Sequence, residues 1–119
     1  MKIRDKNPLL KELIENLLKK SLELNAPIWK AVAKGLNRPR RKCYEVNLYK
    51  IQKYAKEKET IVVPGVVLGD GEINKPVTVA AWRFSGKARE KIEKAKGKCL
   101  TIQELIEKNP KGSGVKIMG

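Results

Sequence analysis

Thr60-Ile61-Val62-Val63-Pro64-Gly65-Val66-Val67-Leu68 is where this sequence stops repeating every third or fourth residue and begins to read as sheet. Its β-branched residues pack well on a pleated surface and lose rotamer freedom in a helix. We read Thr60–Val63 as one short strand, Pro64-Gly65 as a turn and Val66–Leu68 as a second strand. Gly69-Asp70-Gly71 supplies residues that tolerate positive φ, so Asp70 and Glu72 read as a solvated hairpin tip rather than a metal site. Val77–Phe84 follows as the longest strand, apolar enough on both faces to be central.

Upstream of this stretch the pattern is helical. Asn7-Pro8 is a helix start, with Leu10, Leu13, Ile14, Leu17 and Leu18 recurring at helical spacing to about Leu24. Asn25-Ala26-Pro27 interrupts it. Ile28, Trp29, Val32, Ala33 and Leu36 then form a second amphipathic stripe that ends near Gly35 or Asn37. Asn47 caps a third short helix with Leu48, Ile51 and Ala55 inside. Lys50 and Lys53 share its outer edge, but Glu57 comes next along that edge, so this helix is assigned to packing.

Downstream, Ser85 caps a helix running to about Lys96, with Gly97 at its C-cap. Cys99-Leu100 is a candidate short strand. Thr101-Ile102-Gln103-Glu104 is a capping box that opens a helix ended by Asn109-Pro110. The tail is a loop closing on a candidate strand. Together these elements make an α/β fold in one domain over 1–119, with a helical, basic part at about 7–56 and a mixed strand/helix core at about 60–119.

With 41% hydrophobic residues and only 5% aromatics, the core must be mostly aliphatic. No apolar run is long enough to span a membrane, and Met1-Lys2-Ile3-Arg4-Asp5 lacks the apolar stretch of a signal peptide, so we expect a cytosolic chain. Cys43 and Cys99 are too few for a disulfide framework, and with no His in the chain we expect no zinc site, no metal and no cofactor. A Ser-His-Asp or Cys-His arrangement cannot be built. Gly86-Lys87 has Ala81 where a phosphate-binding loop needs glycine and Ala88 where it needs Ser or Thr. We expect no enzyme and no small-molecule substrate.

What the chain does have is charge. Its formal net charge is +14, and residues 1–58 hold 16 Lys/Arg against 6 Asp/Glu. Arg38-Pro39-Arg40-Arg41-Lys42 packs four cations with no acid between them, a self-repelling run that an anionic partner would neutralise. Arginine's fork suits phosphate. Tyr44 beside it can stack on a base or sugar, or belong to the core. Lys30 and Lys34, one turn apart, lead into this run as phosphate contacts or as an ordinary solvated face. Lys111-Gly112-Ser113-Gly114-Val115-Lys116 flanks small residues with cations, either a backbone phosphate cradle or a plain terminus. No base-reading module is present, so recognition is expected of backbone and shape. Two kinds of binder fit: one that clamps folded RNA, and a chromatin-like factor that coats nucleic acid non-specifically.

Asn25-Ala26-Pro27-Ile28-Trp29, Arg38-Pro39-Arg40-Arg41, Glu45-Val46-Asn47-Leu48, Val62-Val63-Pro64-Gly65, Val66-Val67-Leu68-Gly69, Pro76-Val77-Thr78-Val79-Ala80-Ala81 and Asn109-Pro110-Lys111-Gly112-Ser113-Gly114-Val115 occur in this order. In order and spacing these blocks resemble the archaeal and eukaryotic large-subunit ribosomal protein eighteen-e family, which is related to the C-terminal part of bacterial ribosomal protein fifteen. The compact length looks archaeal. The resemblance implies an irregular, superhelical arrangement of strand and helix units. It also implies a structural constituent of the large ribosomal subunit, bound to its rRNA and to neighbouring ribosomal proteins in the cytoplasm. On the matching segments it implies RNA contact by Arg38, Arg40, Arg41, Lys42, Lys111 and Lys116; Lys30, Lys34, Tyr44 and Ser113 complete the expected interface.

Overall fold

The computed structural model describes residues 7–38 and 44–119. The elements run α1 (Pro8–Glu23), α2 (Pro27–Leu36), β1 (Tyr44–Asn47), α3 (Leu48–Tyr54), β2 (Thr60–Leu68), β3 (Thr78–Phe84), α4 (Gly86–Lys94), β4 (Lys98–Thr101), α5 (Ile102–Lys108) and β5 (Val115–Ile117). All five strands are parallel. One edge of β2 carries two partners end to end: β5 pairs Thr60–Val62 and β1 pairs Gly65–Leu68. On the other edge lies β3, followed by β4.

A parallel sheet is stable only when both faces are covered, and alternation along the strands builds two aliphatic cores. Ile61, Val63, Val79 and Ala81 pack with Leu48 and Ile51 of α3 and Ala88 and Ile92 of α4. Val62, Ala80 and Leu100 pack on the opposite side with Ile14 and Leu17 of α1, Trp29 and Val32 of α2, and Leu105 and Ile106 of α5. Among the described residues no polar or charged side chain is buried. The expected α/β class and the mostly aliphatic core are both observed, with Trp29 the large aromatic at the centre of the second core.

Several local signals act as expected. Asn7 Oδ1 accepts from Leu10 N–H, Ser85 Oγ from Ala88 N–H, and the Thr101/Glu104 box closes in both directions. Asn25 ends α1 in the left-handed region at φ 50°, and Ala26 N–H donates back to Ser21 O. Asn47 does precede α3, but its side chain makes no capping bond; the residue is only half-buried, yet its Oδ1 atom is enclosed without a partner.

Four expectations need correction. Thr60–Leu68 is one strand, not two joined by a turn, and it outruns β3 as the longest. The extra residue at Pro64-Gly65 is taken up as a bulge against β3, where proline has no N–H to waste. At Gly65 a Cβ would stand 2.2 Å from Tyr44 O, so only glycine lets β1 pair there. Second, Gly69–Gly71 is not a hairpin tip, because β2 and β3 are parallel and residues 69–77 run back along the sheet. Lys91 Nζ holds that segment through Gly69 O, Gly71 O and Glu72. Third, Lys96 and not Gly97 takes the positive φ after α4; Gly97 is needed because a Cβ would meet Val77 O at 2.4 Å. Fourth, Tyr44–Asn47 is a strand inside the stretch read as helical.

Candidate nucleic-acid interface

Of the expected cations, Lys34 and Arg38 come together at the β5/β1 edge of the sheet, and Lys116 lies on β5 itself. Burial of Trp29, Val32, Ala33 and Leu36 against the sheet turns Lys30 and Lys34 of α2 outward, and both are exposed. The helix contains no acidic residue. Just beyond it, Arg38 Nη1 donates to Tyr44 Oη over 2.7 Å, and its guanidinium lies 4.4 Å from the centroid of that ring. Lys34, Arg38, Tyr44, Pro64 and Ile117 line one shallow cleft. Tyr44 is half-buried, with the chain's last residue, Gly119, against its ring. The ring thus packs against Gly119 and carries the Arg38 guanidinium over it, with its phenol held by the same arginine. Arg40, Arg41 and Lys42 lie outside the described residues.

The C-terminal tail reaches this edge because Trp29 anchors it. The indole Nε1 donates to Pro110 O over 2.7 Å, and Gly112 fits against Ile28 at the start of α2. From there β5 runs along β2 to Tyr44. Lys111 Nζ donates to Leu24 O, satisfying a carbonyl at the end of α1. Lys116 Nζ donates to Tyr54 O and lies 4.0 Å from the Glu59 carboxylate. Ser113 is exposed, and Asn109 Nδ2 donates to its carbonyl. With Gly112 and Gly114 at φ 68° and 72°, the turn leaves the N–H groups of Ser113 and Gly114 without a protein acceptor among the described residues.

The third helix was assigned to packing because Glu57 continued the Lys50/Lys53 edge. The structure removes that reason: α3 ends at Tyr54, Ala55 is extended at ψ 147°, and Glu57 is not on the helix. Tyr49 and Tyr54 stand on either flank of its two outer lysines, and both rings are exposed. The signal was present in sequence as Leu48-Tyr49-Lys50-Ile51-Gln52-Lys53-Tyr54, a helix without an acid.

Elsewhere the chemistry is quiet. No group of three or more metal-binding side chains occurs among the described residues. Burial raises the Cys99 thiol above its ordinary value, which keeps it protonated and poorly nucleophilic. Backbone donation from Thr101 lowers Glu104, as a capping box does. None of the described helices is long and apolar enough to cross a membrane.

Comparison with known proteins fits this architecture. The family described as ribosomal protein 60S L18 and 50S L18e matches residues 3–119. The chain belongs to this family. Among curated members, it is 55% identical over 116 residues to the large ribosomal subunit protein eL18 of Archaeoglobus fulgidus, covering 98% of this chain and 99% of that one. It is 53% identical over 117 residues to the eL18 protein of Methanopyrus kandleri, covering 94% and 92%. The eL18 protein of Methanococcus maripaludis is also 53% identical over 117 residues, with 98% of each chain covered. The resemblance noted in the sequence is thus family membership across nearly the whole chain. L18e proteins are ribosomal proteins of the large subunit, structural rather than catalytic.

Proposed function

We propose that this L18e-family chain is a cytoplasmic structural constituent of the large ribosomal subunit that grips rRNA by its phosphates and shape. The gripping edge comprises Lys30, Lys34, Arg38, Arg40, Arg41, Lys42 and Tyr44, with the tail residues Lys111, Ser113 and Lys116 beside it. The observation that carries this reading is the α2/β1 cleft. There Lys34, Arg38 and Tyr44 converge on one surface, at the end of a helix that itself contains no acidic residue. A cationic edge on a folded aliphatic body suits the phosphates of a polyanion, and the tyrosine adds ring surface beside them. Neighbouring ribosomal proteins are the remaining partners.

Replacing Arg38, Arg40 and Arg41 together with Glu tests it. The Arg38–Tyr44 bond, with its charged donor, is worth roughly 2 kcal/mol, a fraction of a domain's stability of about 5–15 kcal/mol, so the variant is expected to stay folded. It is expected to lose binding to large-subunit rRNA and to drop out of large subunits during a high-salt wash. Normal co-sedimentation would refute the assignment. Equal competition by duplex DNA at matched salt would instead support coating of any nucleic acid.

A further inference from the structure

The cationic α2 edge leaves the exposed rings of α3 unexplained. Leu48 and Ile51 are fully buried; at about 100° per residue, that puts Lys53 directly opposite them, Lys50 and Tyr49 to either side of it and Tyr54 at the flank next to Ile51. Tyr49 is 60% exposed and Tyr54 52%, an unusual outlay of ring surface in a chain with 5% aromatics. Neither phenol has a hydrogen-bonding protein partner among the described residues. Lys53 Nζ sits 5.3 Å from the Tyr54 ring centroid. Lys50 Nζ donates to Gly119 O and Lys116 Nζ to Tyr54 O, so the C-terminal strand ties cations to both ends of the helix. The platform is also rigid: Tyr49 N–H donates to Asp70 O, and Gly71 lies so close beneath Tyr49 that a Cβ would not fit.

The chemistry selects the partner. Protein interfaces enrich tyrosine but deplete lysine, especially at their centres. Rings interleaved with cations on a rigid face are instead the arrangement that holds single-stranded nucleic acid, stacking the bases and neutralising the backbone. Five residues of helix separate the two rings by about 7.5 Å along the axis, roughly twice the step between stacked bases, and turn them about 140° apart around it. The rings therefore fit two splayed bases and not one continuous stack.

We propose that the outer face of α3 is a second RNA contact, on which two unpaired rRNA nucleotides stack on Tyr49 and Tyr54 while Lys50 and Lys53 meet the adjoining phosphates. This rests on the rRNA-binding reading but uses a different surface and a different interaction.

The test uses the full chain and two probes: a large-subunit rRNA transcript and a fully paired RNA duplex. Tyr49→Ala with Tyr54→Ala should weaken transcript binding by about 30-fold or more, leave duplex binding unchanged and leave the salt slope unchanged. Tyr49→Phe with Tyr54→Phe keeps the rings and should bind like the unaltered chain. If the alanine pair binds the transcript normally while charge reversal at Arg38, Arg40 and Arg41 abolishes binding, the α3 proposal is wrong and the rRNA reading stands. Equal loss on transcript and duplex, or loss only of a neighbouring ribosomal protein, also overturns the stacking role. No binding of the transcript by the unaltered chain at low salt overturns both readings.

Discussion

Trp29→Phe tests how the core places the interface. Trp29 is fully buried, and its indole is tied to Pro110, the residue that starts the tail. Phenylalanine keeps an aromatic ring but deletes the N–H, removing a bond worth about 1 kcal/mol net. It also leaves a void on the order of 40 Å³, which adds about 1 kcal/mol, with a little more for lost apolar burial. The sum is about 2–3 kcal/mol. For a chain of 119 residues, an unfolding entropy near 2.1 cal/mol/K per residue converts this to a fall in Tm of about 8–12 °C. Differential scanning calorimetry reads that directly. Hydrogen exchange supplies the local measure: Met118 N–H, which donates to Val62 O, should lose protection beyond the global change as β5 loosens. A Tm within about 2 °C of the unaltered chain, with Met118 equally protected, would refute the view that Trp29 anchors the tail.

Gly65→Ala should destabilise by about 3 kcal/mol, since its Cβ would strike Tyr44 O and prise β1 from β2; an unchanged denaturation midpoint would contradict the register. Leu17→Ala and Ile51→Ala, one in each core, should each cost about 2–5 kcal/mol in urea unfolding, and a cost near zero would move that side chain out of the core. Glu104 has a folded pKa below its unfolded one, so its contribution is complete above the ordinary carboxylate value and disappears as pH falls through the folded value. Glu104→Gln should therefore flatten the acid limb of Tm against pH; an identical acid limb would mean the capping box does not act on folding.

Local chemistry was the legible part of the fold. Asn7, Ser85 and Thr101 announce their helices because a cap is made by side chain and backbone within three residues. β1 was not legible: Tyr44–Asn47 becomes a strand only by pairing with Gly65–Leu68, some twenty residues away. The bulge escaped for a related reason. Pro64-Gly65 has the composition of a turn, and only a strand on each side of β2 makes it a bulge. Glycine at position 97 likewise answers to a distant carbonyl, that of Val77, and not to the helix it follows.

The candidate interface divides the same way. Lys30, Lys34, Arg38 and Tyr44 could be grouped from sequence because they sit on one helix edge and the segment after it. That the tail would lie beside them depends on Trp29 reaching Pro110 and on β5 pairing with β2, contacts no local pattern announces. The α3 face was missed through a boundary: extending the helix to Glu57 made its outer edge look mixed, whereas packing of Ala55 in an extended conformation stops it at Tyr54.

The salt dependence of binding to a large-subunit rRNA transcript bears most directly on a cationic grip. With about eight phosphates neutralised, log K should fall against log salt with a slope on the order of −6 to −7, and reversing the charge of Arg38, Arg40 and Arg41 should make it shallower. A slope near zero, or one that the charge reversal leaves unchanged, would contradict the account.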